Sequence, residues 1–137
     1  MKFYISTRFS IESLRLKAIK LKEELEKYGH EMTFDWMSYP NLKPYDNNIE
    51  LSSKVAKDEL DAVRNADFYI ILPDLGGTSM YTEFGAAIVS SEMTGKPFVY
   101  LLNETKDVTL FNYHPEVTWK RTLEEILEDL KVRTAFK

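Results

Sequence analysis

The chain has 137 residues, the usual size of one domain, so we expect a single domain over residues 1–137. Its 22 acidic and 18 basic side chains give a formal net charge of −4, whereas nucleic-acid-binding surfaces are basic. There is no cysteine, the two histidines lie far apart, and no apolar stretch approaches the roughly 20 residues of a membrane span. We therefore expect no disulfide, no metal site, no nucleic-acid partner and no membrane partner. The start of the chain lacks a signal-peptide pattern, which predicts a cytoplasmic protein.

The first half of the chain predicts two strands, two helices and one long loop. In chain order these are a strand over residues 3–6, a helix over 11–25, a strand over 32–37, a loop over 39–48 and a helix over 49–65. Apolar residues at spacings of three and four indicate the first helix. Ser10 or Thr7 is suited to cap its start, and Gly29 to end it. The loop contains two prolines and three asparagines and is long enough for a functional or a flexible loop.

The second half continues the alternation of strands and helices. In chain order we expect a strand over residues 67–73, a helix over 79–94, a strand over 98–102, a loop over 103–112, a short strand over 117–119 and a final helix. Gly95 is suited to end the third helix, and Thr122 with Glu125 forms a capping box for the fourth. The almost unbroken apolar run of the third strand is typical of a strand covered on both faces.

This alternation predicts an α/β fold, namely a flavodoxin-like or Rossmann-like three-layer sandwich. Its five-stranded parallel sheet would have the order 2-1-3-4-5. In such a sheet the ligand crevice lies beside the first and third strands, just beyond their carboxyl ends. The crevice is therefore expected close to Ser6 and Asp74.

The predicted crevice gathers aromatic rings, hydroxyls, carboxylates, one guanidinium and a glycine turn. These residues are Tyr4, Ser6, Thr7, Arg8, Asp35, Trp36, Asp74, Gly76, Gly77, Thr78, Ser79 and Glu83. An aromatic face can stack on a base, polar groups can bind a sugar, and a cation can bind a phosphate. The set predicts a small-molecule partner, a nucleoside or a nucleotide.

Several of these residues also have a purely structural explanation. The two glycines suit the tight turn of a βα unit, Thr78 and Ser79 suit N-caps, and Trp36 suits the core. Arg8 is as well explained by a surface charge. Glu83 would interact favourably with the dipole at a helix start. However, a capping box requires a spacing of three, and Ser79 and Glu83 are four apart, so capping explains Glu83 poorly.

Four segments resemble the nucleoside 2-deoxyribosyltransferase family, and together they cover most of the chain. The strongest is Gly77-Thr78 followed by Glu83-Phe84-Gly85-Ala86-Ala87, which is similar to the family's Gly-Thr…Glu-Leu-Gly-x-Ala signature. Residues 3–9 resemble the family's tyrosine-containing first strand. Residues 65–67 precede a hydrophobic strand, and residues 95–97 precede the next strand, as in that family.

The resemblance implies a mechanism in which Glu83 is the nucleophile. Glu83 would attack the anomeric carbon and displace the base, and a second base or water would resolve the glycosyl ester. Tyr4 would position Glu83, and Asp74 would handle the leaving base or the sugar. Asp58 or Glu59 aligns with a further family carboxylate on the preceding helix. The family uses no metal or other cofactor, and its members complete their sites across subunits, which implies a homodimer or larger homo-oligomer.

The expected reaction is transfer of 2-deoxyribose between bases, and three alternatives stay open. Some relatives hydrolyse nucleoside 5′-monophosphates, and their sites resemble Ser6, Arg8 and Ser79 gathered around a phosphate. Lonely-guy-type phosphoribohydrolases carry Pro-Gly-Gly-x-Gly-Thr-x-x-Glu, which residues 73–83 resemble with two extra residues and one glycine fewer. A non-catalytic nucleotide-binding domain is the third. The longer turn before Glu83, and residues 132–137, which match no family segment, leave transferase and hydrolase both open.

Overall fold

In the computed structural model, which describes residues 1–106 and 108–135, five strands alternate with helices. The strands are β1 (Lys2–Ser6), β2 (Glu31–Met32), β3 (Phe68–Ile71), β4 (Phe98–Leu102) and β5 (Val117–Lys120). The α-helices are α1 (Glu12–Lys27), α2 (Ile49–Asn65), α3 (Ser79–Thr94) and α4 (Leu123–Thr134). All strand pairs are parallel, and the sheet order is β2-β1-β3-β4-β5, so the predicted fold class and strand order are confirmed. None of these described helices is long and apolar enough to cross a membrane.

The sheet is covered on both faces, and each face has its own hydrophobic core. On one face, the central strands pack against α1 and α4 through buried residues that include Phe3, Phe68 and Tyr100. On the other face, they pack against α2 and α3 through residues that include Tyr4 and Tyr69. Because successive strand residues point to opposite faces, a strand buried on both faces needs the unbroken apolar run that β3 has. Full burial of one large apolar side chain contributes about 1.5–3 kcal/mol.

The face that carries α2 and α3 positions the candidate site. In the parallel register of β1 and β3, Tyr4 lies opposite Tyr69, and Ser6 lies opposite Ile71. Tyr4 and Ser6 are two residues apart on one strand, so their side chains point to the same face. The turn after β3 leads directly into α3 at the carboxyl edge of the sheet. The site therefore lies at the edge where open α/β sheets bind their ligands.

The second strand is much shorter than predicted. Only residues 31–32 pair with β1, and Trp36–Ser38 form a 3-10 turn instead of strand. The Asp35 carboxylate caps this turn by accepting the Met37 N–H at 3.1 Å. The Trp36 indole donates to the Ile5 carbonyl at 2.7 Å, so a side chain satisfies a carbonyl of β1 there. The apolar residues among 32–37 thus belong to a turn that packs against the sheet, and they do not lengthen β2.

The start of α1 also differs from the prediction. The helix begins at Glu12, and no side chain caps it, so the predicted caps at Ser10 and Thr7 are wrong. The Thr7 hydroxyl instead donates to the Leu72 carbonyl at 3.1 Å. This hydrogen bond joins the loop after β1 to the end of β3, which ties together the two strands beside the crevice.

The predicted helix ends and the last helix start are confirmed. Gly29 and Gly95 follow α1 and α3 with φ of 85° and 83°, a left-handed conformation that favours glycine. The Thr122 side chain caps α4 by accepting the Glu125 N–H at 3.2 Å, but the Glu125 carboxylate accepts the Arg121 N–H at 2.8 Å and not that of Thr122, so half of the predicted capping box forms. At these positions the residue type alone determines where the helix begins or ends, so the sequence is enough to predict it.

Candidate active site

The Glu83 carboxylate lies in the second turn of α3 and is held on both of its oxygens. The Tyr4 hydroxyl donates to Oε2, and the Ser6 hydroxyl donates to Oε1 at 3.0 Å. Both donors come from β1, whose alternation points the two side chains towards α3. Only 8% of Glu83 is exposed. A buried carboxylate with two hydroxyl donors has a fixed orientation, which is what a positioned reactive group requires.

Two opposing effects set the protonation of Glu83. Burial, together with the charge of Glu59, raises the pKa of Glu83 to about 8, although the hydrogen bonds from Tyr4 and Ser6 act in the opposite direction. Burial also raises the pKa of Glu59. Burial and the nearby Glu83 charge raise the pKa of Tyr4, which therefore stays a protonated donor. The raised pKa of Glu83 means that this pair of carboxyl groups shares one proton near neutral pH.

The structure separates the two carboxylates that the resemblance left as alternatives on α2. Asp58 forms an ion pair with Lys54 at 2.6 Å, one helical turn away on the outer part of α2. Glu59 is half-buried, and its charge reaches both Tyr4 and Glu83. Within the described ranges, no ion pair involves Glu59 or Glu83. Glu59, and not Asp58, is therefore the α2 carboxylate beside the site.

Arg8 and Asp74 form a pair at the rim of the crevice. The Arg8 guanidinium contacts an Asp74 carboxylate oxygen at 3.0 Å, and the same oxygen accepts the Gly76 N–H at 3.0 Å. The guanidinium lies so close to Gly76 that a Cβ there would be 2.0 Å from Arg8 Nη1. Glycine at this position is thus required for Arg8 to lie across the turn. Both charged side chains keep about a third of their surface exposed, 39% for Arg8 and 31% for Asp74, so a ligand can reach them.

The start of α3 completes this rim. A Cβ on Gly77 would lie 2.2 Å from the Met80 sulfur, so the second glycine is also needed for close packing. Thr78 occupies the N-cap position, yet its side chain makes no capping hydrogen bond, so the structural explanation of Thr78 as a cap is wrong. Thr78 and Ser79 are both exposed. A helix start with uncapped N–H groups and free hydroxyls suits the binding of an anion.

Three predicted site residues hold the surrounding loops in place with their polar atoms. Thr7 bonds to the end of β3, and the Trp36 indole bonds to Ile5 while its ring packs edge-on against Phe9 at 5.0 Å. Asp35 caps the 3-10 turn and lies 3.5 Å from the Lys22 ammonium. These contacts shape the crevice wall beside β1. They do not bring the three side chains to Glu83.

Sequence reasoning missed Tyr69, because its position inside an apolar strand indicated an ordinary core residue. Its ring lies parallel to that of Tyr4, with centroids 6.1 Å apart and an interplanar angle of 4°. Tyr69 is fully buried and carries its hydroxyl into the neighbourhood of Ser6 and Glu83. A signal was available: two tyrosines at matching positions of adjacent strands face the same side of a parallel sheet.

This arrangement can support nucleophilic and acid-base chemistry by carboxylates. Glu83 is oriented by two donors, Glu59 supplies a second carboxyl group, and the rim supplies a cation and a helix start. No group of three histidine, aspartate or glutamate side chains in the described part of the chain could hold a metal ion.

Comparisons with known proteins show a solved structure that has the same fold. No protein-family model matches the chain, and no curated protein is significantly similar to it in sequence. A solved structure is similar, that of the CMP N-glycosidase BcmB from Clostridium botulinum, with 18% sequence identity and a TM-score of 0.62. The match covers 96% of this chain and 99% of that chain. The protein therefore shares its fold, over nearly its whole length, with a CMP N-glycosidase.

Proposed function

We propose that this protein cleaves the N-glycosidic bond of a nucleoside 5′-monophosphate through a covalent glycosyl ester on Glu83. The observation that carries the proposal is the buried Glu83 carboxylate, held by Tyr4 and Ser6 at the ligand-binding edge of the sheet. The shared fold with a CMP N-glycosidase and the resemblance of residues 77–87 to a glycosyl-transferring signature support it.

In the first step, an oxygen of ionised Glu83 attacks C1′ of the sugar. The C1′–N bond breaks, its electron pair goes to the base nitrogen, and the sugar becomes esterified to Glu83. Tyr4 and Ser6 hold the carboxylate so that the attacking oxygen meets C1′, which lowers the entropic cost of reaching the transition state. Because the base leaves as an anion unless it is protonated, a proton donor is needed beside it.

Glu59 is suited to supply that proton. Burial raises its pKa, and it shares one proton with Glu83, so movement of that proton to Glu59 leaves Glu83 ionised and Glu59 able to act as the acid. Asp74 is less suited, since its carboxylate already accepts from the Arg8 guanidinium and the Gly76 N–H at 3.0 Å each. We propose that Asp74 keeps Arg8 and the turn in position. In the second step Glu59, deprotonated by the first step, takes a proton from water while the water oxygen attacks C1′, the bond between C1′ and the Glu83 oxygen breaks, and the Glu83 carboxylate, protonated Glu59 and a sugar phosphate result.

Arg8 and the start of α3 favour a substrate that carries a 5′-phosphate. The guanidinium lies across Gly76, and the exposed Thr78 and Ser79 follow two and three residues later at the uncapped start of α3. A guanidinium and helix N–H groups are the two commonest phosphate-binding devices in proteins. A nucleoside without the phosphate would make no charged contact with Arg8 or with the start of α3.

Transfer of 2-deoxyribose between bases is the second candidate. It is favoured by the order Gly77-Thr78…Glu83-Phe84-Gly85-x-Ala87, which is that of the transferase signature. The two reactions share the first step and differ only in whether water or a second base attacks the ester.

The test is incubation of the protein with CMP, other nucleoside monophosphates and deoxynucleosides, each with and without a second free base. Chromatography should detect free base and sugar phosphate from a monophosphate without any acceptor. Base exchange that requires an acceptor would identify the transferase. Failure of every substrate would overturn the proposed cleavage.

Glu83→Gln and Glu92→Gln form a matched pair for this assay. Both glutamates lie on α3, but Glu92 is exposed and faces His114 at 3.3 Å. Glu83→Gln should lower kcat at least about a thousandfold, as loss of a nucleophile does. Glu92→Gln should keep kcat within about twofold of wild type. Equal activity of the two variants would remove Glu83 from the mechanism.

A further inference from the structure

Asp74 accepts four hydrogen bonds in the turn between β3 and α3. Its carboxylate accepts from the Arg8 guanidinium and from the Gly76 N–H, each at 3.0 Å. Its main-chain carbonyl accepts from the Gly77 N–H at 3.0 Å and from the Tyr81 hydroxyl at 3.2 Å. Tyr81 differs from the other three donors because it lies within the first turn of α3. Its hydrogen bond therefore joins the helix to the turn that precedes it.

The position of Tyr81 in α3 explains why its hydroxyl reaches back to the turn. Side chains of an α-helix point towards its N-terminus, so a long side chain in the first turn lies over the residues before the helix. The Tyr81 ring packs edge-on against Phe84, with centroids 6.4 Å apart and an interplanar angle of 67°. Phe84 is 1% exposed and belongs to the core beneath α2 and α3. A ring packed on the core thus presents its hydroxyl to a carbonyl seven residues earlier.

The order of this turn depends on its hydrogen bonds to Asp74. The adjacent glycines Gly76 and Gly77 lose more conformational freedom on folding than other residues do. Leu75 is 82% exposed, so burial of its side chain does not hold the turn. The Thr78 side chain makes no capping hydrogen bond. A tether from the helix therefore adds order where the turn itself supplies little.

We propose that Tyr81 is a positioning residue for the phosphate site, whose hydroxyl holds the Asp74 main chain and thereby the Arg8 guanidinium at the start of α3. The inference rests on the proposed function, in which Arg8 binds the 5′-phosphate. The contacts link the guanidinium, through Tyr81, to the buried core. A guanidinium that is held in place before the phosphate arrives loses less conformational freedom on binding, which strengthens the binding.

Tyr81→Phe tests this, because it removes the hydroxyl and keeps the ring against Phe84. We expect KM for a nucleoside monophosphate to rise about three- to tenfold, the effect of one lost hydrogen bond. Both kcat and KM for the unphosphorylated nucleoside should stay within about twofold of wild type, since that substrate has no phosphate for Arg8. A KM that does not rise, or that rises equally for both substrates, would overturn the positioning role.

Tyr100→Phe is the matched control. The Tyr100 hydroxyl also joins a strand residue to a helix, since it donates to Asp129 on α4 at 2.6 Å, but it does so beside the opposite core. This variant should have a lower melting temperature and the KM values of wild type. A rise of KM as large as that in Tyr81→Phe would trace the effect to lost stability and would overturn the role of Tyr81.

A double-mutant cycle tests whether Tyr81 acts through Arg8. In an Arg8→Ala background, Tyr81→Phe should cause no further rise of KM for the monophosphate. A full, additive rise in that background would contradict the link from Tyr81 to the guanidinium.

Amide hydrogen exchange separates this inference from the proposed function. The rates for Gly76 and Gly77 can be measured by NMR in wild type and in Tyr81→Phe without any substrate. Both amides donate to Asp74, so loss of the tether should speed their exchange about three- to tenfold. The Gly95 amide, at the far end of α3, should keep its rate. Faster exchange in the turn supports the inference even if no nucleotide is cleaved, and equal rates overturn it even if cleavage is established.

Discussion

At the scale of single residues, Glu83 is the group whose environment departs most from that of an ordinary glutamate. Tyr4 and Ser6 donate to its two oxygens, which favours the ionised form. Burial and the charge of Glu59 disfavour that form more strongly, so the pKa of Glu83 rises to about 8. The unliganded protein therefore holds Glu83 mostly protonated at pH 7. Because the mechanism needs the one proton of the pair on Glu59 and the charge on Glu83, activity should fall at pH values above about 8, where both carboxyl groups are ionised.

The raised pKa also predicts a pH-dependent stability. Between about pH 4.5 and 8 the folded protein keeps a proton on Glu83 that the unfolded chain releases, so stability falls as pH rises through this window. Glu83→Gln removes this dependence. In urea unfolding at pH 5 and pH 8, the variant should gain about 2–5 kcal/mol relative to wild type at the higher pH. If the free energies of unfolding of the two proteins changed equally with pH, the pKa of Glu83 would not be raised by folding.

Gly76→Ala tests the role of Arg8. The new Cβ would meet the Arg8 guanidinium at 2.0 Å and push it away from Asp74 and the turn. We expect KM for a nucleoside monophosphate to rise about tenfold, the loss of one charge-assisted hydrogen bond, with little change for the unphosphorylated nucleoside. Gly85→Ala is the control, since a Cβ there meets no atom within 4 Å. An equal rise of KM for both substrates would show that Arg8 does not bind the phosphate.

At the scale of elements, the sequence predicts the five strands and four α-helices of the described residues, but not the 3-10 helices or the ends that depend on distant contacts. Helix ends at Gly29 and Gly95 follow from a local backbone requirement, so the sequence alone identifies them. The early end of β2 depends on a Trp36 hydrogen bond to a strand 31 residues away, which no local pattern contains. For the same reason Glu83, marked by a motif, was found, whereas Tyr69, marked only by strand pairing, was missed.

Trp36→Phe tests whether the turn after β2 supports the site. It removes the indole donor to Ile5, one residue before Ser6, and should lower the free energy of unfolding by about 1–3 kcal/mol. It should also lower kcat/KM, since the end of β1 carries the Ser6 donor. Trp119→Phe is the control, because Trp119 donates in the same way to Asn103 at 2.9 Å, at the end of β4. A similar loss of activity in both variants would mean that stability alone is responsible.

At the scale of the whole molecule, only one of the two hydrophobic cores borders the candidate site. The core beneath α1 and α4 contains the rings of Phe3, Phe68 and Tyr100, and its Tyr100 hydroxyl donates to Asp129 on α4 at 2.6 Å. The opposite core contains the rings of Tyr4 and Tyr69, and the Tyr4 hydroxyl donates to the buried Glu83. A rigid, doubly covered sheet thus holds a partly charged network that would be costly to bury without its hydrogen bonds.

The homo-oligomer implied by the resemblance stays a prediction. Sedimentation equilibrium should give at least twice the 16.0 kDa mass of one chain. A single species at the mass of one chain would mean that the site is complete within one subunit.

Capture of the glycosyl ester on Glu83 would test the proposed mechanism at its first covalent step. A monophosphate whose sugar carries a 2′-fluorine slows both steps, and a good leaving base restores the first, so the ester should accumulate. Mass spectrometry of the intact protein should then show the added mass of one fluorinated sugar phosphate, and peptide mapping should locate it on Glu83. Cleavage of the natural substrate with no adduct on Glu83, or with the adduct on another residue, would contradict the central claim.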